Sequence, residues 1–367
     1  MLLAGIHDVA RAAGVSASTV SNVLNGRDHR MRPETKARVL AAIKSLSYLP
    51  NVSAQQLKSG HSSAIGLIVP STSNPFWGAV AHQVERAALA LGYKVLICNA
   101  EREPAAEVRY AETLLASGVR GVILGSAPMS FEHFQGLAER GMVVAAFDRR
   151  SAGAESVVAC SVTMDQELAG ALATQHLIGL GHRRIAFISG PIATSSRIGR
   201  LAGIKTALAR AGIPFDPSLV WQGRGISGFG DTEGSQLGRV AIRELLSRDD
   251  RPTAAITVND MYAFGAYAGA RDLGFRIPDD LSIVGFDDIV LSEIVQPALT
   301  TIRQPIATMA EAIVARLIRG VEGEAAEEGA EAHLEIKAEL IVRASTAPAP
   351  TAQRRFDQRD EPARMTR

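Results

Sequence analysis

The segment GIHDVARAAGVSASTVSNVLN, residues 5–25, predicts a helix, a tight turn and a second helix. Three apolar side chains of the first helix, Val9, Ala10 and Ala13, lie on one face at helical spacing. Gly14 follows them, and a glycine there lets the helix end in a left-handed conformation so that the chain reverses. The segment is therefore predicted to form a helix-turn-helix, which gives the first part of the chain an all-α fold.

The second helix has one face suited to packing and another suited to DNA. Ser16 stands before it, and a serine hydroxyl at that position accepts a hydrogen bond from a free backbone amide. Its apolar stripe, which would pack on the first helix, consists of Val20, Val23 and Leu24. The remaining side chains are small or carry amides, and such a surface fits a major groove and meets base edges. The candidates for DNA contact on and just after this helix are Ala17, Ser18, Thr19, Ser21, Asn22 and Asn25.

A third helix and a concentration of positive charge complete this first unit. Pro33 suits the first position of a helix. The apolar side chains of that helix are Val39, Ala42, Ile43 and Leu46. Residues 1–62 contain eight Arg or Lys against three acids, a net charge of +5 on a chain whose total is +1. Positive charge of this kind is expected where DNA phosphates lie. A basic docking module that does not read DNA is the alternative interpretation.

The run YLPNVSAQQLKSG at residues 48–60, together with the preceding unit, resembles the lactose-repressor (LacI/GalR-type) family of ligand-responsive bacterial transcriptional regulators. The resemblance implies a hinge helix that folds on operator DNA, with two copies side by side in the minor groove. It places Asn51 at the helix start, Ala54 at the close contact between copies, and Leu57 as a wedge between base pairs. A segment of about eight residues does not hold a helix alone in water, so DNA and the second copy would have to order it. An ordinary linker helix is the alternative.

From about residue 63, short apolar runs alternate with amphipathic stretches. The runs are 65–69, 94–98, 121–124, 143–147, 185–189, 254–258 and 282–286. The helical stretches are 80–91, 107–117, 169–180, 198–211 and 261–273. This alternation predicts an α/β body with parallel sheets covered by helices on both faces.

The resemblance to the lactose-repressor family extends through this body to about residue 345. The matching phrases are SNPF at 73–76, AFDR at 146–149, HL at 176–177, GHRRI at 181–185, GP at 190–191, RLAG at 200–203, ND at 259–260, GFDD at 285–288, LTTI at 299–302 and LIVRAST at 340–346. They imply a periplasmic-binding-protein type I fold, in which two doubly wound parallel-sheet subdomains are joined by three crossing strands and enclose a ligand cleft.

The resulting domain prediction has four parts. A helix-turn-helix domain at 1–47 precedes a hinge helix and linker at 48–62, and an effector-binding and dimerisation domain occupies 63–345. Within it, the N-subdomain covers about 63–164 and 293–324, and the C-subdomain about 165–292 and 325–345. The segment 321–339 holds seven glutamates and is predicted to be a solvated surface connection. Residues 346–367 are rich in Pro, Arg and Asp and are predicted to be a disordered tail without the leucine heptads of a tetramerisation helix, so we expect a dimer.

Polar side chains that follow the predicted strands are candidates for effector binding, because ligands of doubly wound sheets bind beyond the carboxyl ends of the strands. The candidates are Asn74, Phe76, Asp148, Arg200, Asn259 and Asp287. Carboxylates and amides accept or bridge hydroxyl groups, an arginine donates in a fixed fork, and a phenyl ring offers a flat apolar face. The resemblance favours Arg200 and Asp287 most, with Asp148 next. A structural ion pair at 148–149 and a simple turn at 287–288 are the alternatives.

Other motifs suggest no cofactor and no metal. His176 and His182 have no carboxylate or cysteine clustered with them in sequence, so we expect a solvated or capping role. The segment GRGISG at 223–228 matches the dinucleotide pattern GxGxxG, but acids follow where a pyrophosphate needs positive charge. Cys98 and Cys160 each follow strand-like residues and are predicted to be buried free thiols.

Three departures from the family pattern concern DNA binding. Asn22 stands where the family commonly has an arginine that reads guanine, and asparagine prefers adenine, so the half-site should differ. Gly5 replaces the hydroxyl residue that usually caps the first helix. Arg32 replaces a serine before the third helix, which loses a cap.

The sequence thus predicts a dimeric, cytoplasmic DNA-binding regulator, most simply a repressor released from a palindromic operator by a sugar-like effector. A co-repressor-type regulator responding to a nucleobase and a sugar-binding protein without a regulatory role are the alternatives. No signal peptide, membrane span or catalytic constellation is evident, so we expect neither an exported binding protein nor an enzyme.

Overall fold

The computed structural model describes residues 4–24, 31–48, 62–149, 157–223, 233–324 and 333–350. Contacts divide the chain into two compact units, one up to Ser62 and one from Ser63 onward. Within the described ranges no helix combines the length and the apolar character that a bilayer span requires.

The first unit contains three helices, α1 (Ile6–Ala13), α2 (Ala17–Leu24) and α3 (Pro33–Ser45). Gly14 ends α1 in the left-handed region at φ 63°. The Ser16 hydroxyl accepts a hydrogen bond from the amide of Thr19 at 3.2 Å, which caps α2. The predicted helix-turn-helix is therefore confirmed, together with the local interactions that form it. Its buried core consists of Val9, Ala10, Ala13, Val20, Val23, Val39, Ala42 and Tyr48.

The end of α3 differs from the prediction. Leu46 follows the last helical residue and is 37% exposed, so it does not belong to the apolar face. Tyr48 is buried in its place, because the chain turns after Ser47, whose φ is 45°. Arg32 makes no side-chain cap at the start of α3, in agreement with the predicted loss.

The second unit is built on two six-stranded sheets. The first sheet has the strand order β11-β5-β4-β3-β1-β2, and all its pairings are parallel. Its strands are β1 (Ala64–Val69), β2 (Lys94–Asn99), β3 (Gly121–Leu124), β4 (Val143–Phe147), β5 (Val158–Met164) and β11 (His333–Ile336). The second sheet has the order β12-β10-β9-β8-β6-β7, with only β12 antiparallel. Its strands are β6 (Ile185–Ile188), β7 (Val220–Trp221), β8 (Ala254–Thr257), β9 (Ser282–Asp287), β10 (Thr300–Arg303) and β12 (Glu339–Ile341).

Helices cover both faces of each sheet, as predicted. They are α4 (Pro75–Ala90), α5 (Pro104–Ala116), α6 (Gln135–Glu139), α7 (Gln166–Gly179), α8 (Ser195–Arg210), α9 (Gly234–Leu246), α10 (Asp260–Asp272), α11 (Leu291–Ile294) and α12 (Ile306–Glu322). Separate apolar clusters lie on the two faces of the first sheet and on the two faces of the second. The inner strands β1, β3, β4, β6, β8 and β9 are nearly continuous apolar runs because each is buried on both sides.

Strand pairing moves two of the expected subdomain boundaries. Thr300–Arg303 pairs with β9 in the second sheet, although residues 293–324 were assigned to the N-subdomain. His333–Ile336 pairs with β5 in the first sheet, although residues 325–345 were assigned to the C-subdomain. The chain therefore crosses between the sheets near residues 165, 304 and 337. The glutamate-rich segment consequently contains a sheet strand, so its description as only a surface connection was wrong.

The start of the predicted tail is ordered by two histidines that were expected to be solvated or capping. His182 is buried, and its ring nitrogens lie within hydrogen-bond distance of Thr253, Ser282 and the carbonyl of Ala347. His176 Nε2 lies 2.9 Å from the hydroxyl of Thr346. Both histidines thus fix residues beyond 345 to the second sheet, and the prediction was wrong for them and for 346–350. The remaining tail, 351–367, lies outside the described residues.

Candidate functional site

The reading face of α2 presents a small polar surface. Ser18 and Asn22 are exposed, while Ala17, Thr19 and Ser21 are half-buried. The Thr19 hydroxyl lies 2.8 Å from that of Ser16, so it also takes part in the capping of α2. The other predicted DNA contacts, Asn25, Asn51, Ala54 and Leu57, lie outside the described residues.

Backbone strain marks the carboxyl ends of the strands in both sheets. Asp148 directly follows β4 at φ 62°, and Asp287 ends β9 at φ 108°. Positive φ also occurs at Arg102, after β2, and at Ala127, after β3. Non-glycine residues adopt such angles only where the surrounding structure compensates the cost, and this is common at functional sites. The strand ends that the sequence indicated are therefore unusual in backbone conformation as well as in composition.

Arg200, on α8, is held in a fixed orientation. Its Nε donates to the side-chain oxygen of Gln166 at 2.8 Å, and Nη1 donates to the carbonyl of Val258. The guanidinium carbon lies 4.3 Å from the ring centre of Phe286, a cation–π contact. Burial lowers the pKa of Arg200, and the carboxylates of Asp287 and Asp148 oppose that shift. The guanidinium thus lies close to both predicted acids.

Gln166 joins two of the predicted site residues. Its amide nitrogen donates to Asp148 Oδ1 at 2.5 Å, while its oxygen accepts from Arg200. Because Asp148 follows the first sheet and Arg200 belongs to a helix on the second, this one side chain links the two halves of the body. Sequence reasoning missed Gln166, although its place at the start of α7, directly after a crossing segment, was a usable signal.

Asp287 and Asp260 are further buried acids beside Arg200. Asp287 Oδ1 accepts from the amide nitrogen of Gln304 at 2.7 Å. Burial raises the pKa values of Asp287 and Asp148, although the positive charge of Arg200 opposes the shift in both. The negative charges of Asp287, Asp148 and Asp260 all act on this guanidinium, and burial makes the three carboxyl groups sensitive to any polar group that approaches.

Asp260, which the sequence analysis overlooked, has the most enclosed of these carboxyl groups. It accepts hydrogen bonds from the hydroxyls of Thr301 at 2.6 Å and Ser292 at 2.7 Å, and from the amide of Ile289 at 3.0 Å. Complete burial raises its pKa to about 7, against these donors. Its position beside Asn259 in the ND phrase was the signal available from the sequence.

The other predicted effector residues have structural partners. The side-chain oxygens of Asn74 and Asn259 accept from the amides of Phe76 and Tyr262 and so cap α4 and α10. Phe76 is buried in the core of the first sheet, with its ring centre 5.1 Å from that of Trp77. The structure thus brings Asp148, Arg200 and Asp287 into one cluster, and it places the phenyl ring of Phe76 inside the protein.

Several buried polar atoms near the strand ends have no hydrogen-bond partner within the described ranges. They are the hydroxyl oxygens of Ser126, Ser189 and Ser195 and the side-chain oxygen of Gln304. Ser126 follows β3, Ser189 follows β6, and Gln304 follows β10. Buried polar groups are nearly always paired in native proteins, so each unpaired one requires an explanation.

The structure also bears on Asp288, on the grouping of metal-ligating side chains and on the two cysteines. Asp288 forms ion pairs with Arg303 at 2.6 Å and Arg343 at 2.7 Å, so it faces a different set of partners from Asp287. Within the part of the chain that the structure describes, no three His, Cys, Asp or Glu side chains are grouped as metal ligands. Cys160 is buried, which raises its pKa to about 11, whereas Cys98 is only half-buried and to that extent departs from the prediction. Most of the glycine-rich loop lies outside the described residues.

Comparison with known proteins gives a consistent result over both units. Residues 5–51 match the family model for bacterial regulatory proteins of the lacI family. Residues 62–343 match the family model for periplasmic binding proteins and the sugar binding domain of the LacI family. The transcriptional regulator DegA of Bacillus subtilis is 35% identical over 343 residues, covering 94% of this chain and 98% of DegA. The ribose operon repressor of Escherichia coli is 35% identical over 327 residues, covering 87% of this chain and 93% of that repressor. The solved structure of the Lac repressor dimer bound to operator and the anti-inducer ONPF matches with a TM-score of 0.79 at 28% identity. The match covers 94% of this chain and 100% of the Lac repressor chain. The chain therefore belongs to the LacI family of DNA-binding transcriptional regulators.

Proposed function

We propose that this protein is a dimeric repressor that binds a palindromic operator and is released by a sugar-like effector held between the two sheets of its body. One observation carries the proposal most directly. Gln166 bridges the buried Arg200 to the buried acid Asp148, and Asp287, the carboxylate that acts most strongly on Arg200, accepts from Gln304, whose own side-chain oxygen has no partner among the described residues.

The chemistry of this cluster suits a ligand rich in hydroxyl groups. A hydroxyl both donates and accepts, so it can donate to Asp148 or Asp287 and accept from Arg200. Hydrogen bonds to charged groups contribute about 1.5–3 kcal/mol each. A few of them are enough to select a sugar over an apolar molecule.

A nucleobase effector is less favoured by the same site. Base recognition commonly uses an exposed aromatic face, and the predicted aromatic residue Phe76 packs with Trp77 in the core instead. A sugar-binding protein without a regulatory role is disfavoured by the helix-turn-helix unit. Because operator DNA is the partner, we place the protein in the cytoplasm.

The DNA interface consists of the exposed face of α2, with the hinge residues as further candidates. Ser18 and Asn22 are the exposed residues of this face, and Asn22 is the side chain suited to adenine. A dimer would present two such helices to half-sites about one helical turn apart.

Two pairs of exposed apolar side chains are candidates for contact with the second copy. One lies on the edge strand β2, at Leu96 and Ile97, and the other lies on and beside α11, at Val290 and Ile294. Exposed apolar side chains become favourable once a second copy covers them, because their contact with water is then removed. Ile294→Glu should shift the protein toward monomer in sedimentation experiments, whereas Val240→Glu on α9 should leave the association unchanged.

The central test combines ligand binding with DNA release. Thermal-shift screening against sugars and nucleosides identifies a binder, and calorimetry then compares the parent with Arg200→Ala and Asp287→Asn. Both variants should lose most of the affinity while remaining folded, and the binder should release operator DNA selected from a random pool. Unchanged affinity in both variants would place the effector site elsewhere. Equal affinity for a palindromic operator and for scrambled DNA would refute the regulator itself.

A further inference from the structure

A cavity runs along α7 and α8 and includes Asp148, which it shares with the effector cluster, the name we give to Asp148, Arg200 and Asp287. Its volume is about 550 Å³, within the range of about 300–1,000 Å³ typical of small-molecule sites. Asp148 and Gln166 form its inner end, and Thr206 and Arg210 lie toward its outer end on α8. Partners for the few unpaired polar atoms near the strand ends would fill only a small part of this volume. The size of the cavity therefore needs an explanation of its own.

The cavity and the effector cluster share side chains. Asp148 and Gln166 are more than nine-tenths buried, and they bond each other at 2.5 Å while Gln166 also bonds Arg200. A ligand that contacts Arg200 and Asp148 can therefore continue past Gln166 into the cavity. Ser195, which also lines the cavity, has a buried hydroxyl oxygen without a partner among the described residues.

The local packing keeps Gln166 at this boundary. A side chain at Gly199 would place its Cβ 2.8 Å from the Cβ of Gln166, and one at Gly203 would overlap the carbonyl oxygen of Glu167. Both glycines allow α7 and α8 to approach closely. Close helix packing, rather than a mobile loop, thus fixes the position of Gln166, beside which the cluster and the cavity meet.

The two sides of the cavity come from different halves of the body. Thr163 on β5 and Glu335 on β11 belong to the first sheet, whereas Ser195 and Thr206 lie on a helix of the second. An occupant would touch both halves near two of the crossing segments. Such an occupant would therefore stabilise one separation of the two sheets over others. An effector acts in this way when it binds one conformation more tightly than another.

The charges around the cavity restrict the occupant. Four lining residues are acidic, namely Asp148, Asp165, Glu167 and Glu335, and one, Arg210, is basic. Phosphate or carboxylate groups would be repelled by this surplus of negative charge. Neutral hydroxyl groups, in contrast, can donate to the carboxylates and to the carbonyl groups nearby.

We propose that this cavity is a second subsite of the effector site and that it accepts a neutral hydroxylated extension the size of a second sugar ring. The effector is then a disaccharide or glycoside rather than a single sugar or a sugar phosphate. This inference rests on the proposed function, because it takes the effector cluster as the first subsite.

The test is calorimetry on the full chain with matched ligands and matched variants. The ligands are D-glucose and D-galactose as single rings, cellobiose, maltose and lactose as two-ring sugars, and glucose 6-phosphate as the anionic control. Thr206→Trp introduces a large ring at the exposed outer end of the cavity, and Ala209→Trp introduces the same ring at an exposed position of α8 that does not line it.

We expect one two-ring sugar to bind about tenfold or more tightly than its component single ring, and glucose 6-phosphate to bind more weakly than glucose. Thr206→Trp should remove the advantage of the second ring, whereas Ala209→Trp should keep it. If a single ring binds in an Arg200-dependent way and a second ring adds no affinity, the subsite is refuted and the proposed function stands. The same conclusion follows if the Thr206→Trp variant still binds the two-ring sugar more tightly than the single ring. If no sugar binds in an Arg200-dependent way, both proposals fail.

Discussion

Replacement of Gln166 by leucine should strongly destabilise the body, because this buried side chain bridges Asp148 and Arg200. The substitution removes the donor to Asp148 at 2.5 Å and the acceptor for Arg200 at 2.8 Å. Arg200 retains Val258 and the ring of Phe286, but its buried Nε loses its partner.

The magnitude follows from the number and kind of the lost bonds. Each involves a charged group and contributes about 1.5–3 kcal/mol, so Gln166→Leu should lower the free energy of unfolding by about 3–6 kcal/mol. Urea unfolding followed by tryptophan emission measures the body, because both tryptophans, Trp77 and Trp221, lie in it. The control is Gln135→Leu, which removes an exposed hydrogen bond to Glu139 and should change stability by less than about 0.5 kcal/mol. A loss below about 1 kcal/mol in Gln166→Leu would show that the bridge between the two halves contributes little and that the reasoning is wrong.

Four further predictions concern stability, pH, DNA and coupling. Gly203→Ala should destabilise the body by about 1–3 kcal/mol, because its Cβ overlaps the backbone of α7, whereas Gly179→Ala has open space and should not; thermal unfolding compares them. Asp260 has a pKa raised to about 7, so the folded state favours its protonated form, and the stabilisation from this proton is lost as pH rises from about 4 through 7. Asp260→Asn should therefore flatten the pH dependence of the melting temperature over that window, and an unchanged slope would contradict the assignment. Asn22→Arg should shift the preferred half-site base from adenine toward guanine in operator selection, and an unchanged preference would remove Asn22 from the reading face. Operator DNA and effector should weaken each other's binding by the same factor, and effector affinity that is equal with and without saturating operator would mean that the sites are uncoupled.

The fold of the first unit was predictable because its interactions are local. Gly14 ends one helix, and Ser16 caps the next through an amide three residues away. Apolar side chains three and four positions apart then pack the helices together. The apolar runs of the body were predictable for a similar reason, since strands buried on both faces are apolar along their length.

The candidate site was predictable only in part. Residues directly after strands, such as Asp148 and Asp287, could be named because every strand of a parallel sheet brings its carboxyl end to the same edge. The same rule also selected Phe76, whose ring the fold buries against Trp77. Sequence position indicates which edge a residue lies near, whereas packing decides whether its side chain faces that edge.

The sequence by itself determined the helix-turn-helix, the alternation of strands and helices, and the strand ends at which Asp148 and Asp287 lie. Only the tertiary structure decided which sheet Thr300–Arg303 and His333–Ile336 join, and which partners Gln166 and Asp260 find. Gln166 meets Arg200 across 34 positions, Asp260 meets Thr301 across 41, and His182 meets Ala347 across 165. A local pattern carries no record of such distant pairings, because they arise from burial of polar groups that must find partners wherever the folded chain places them.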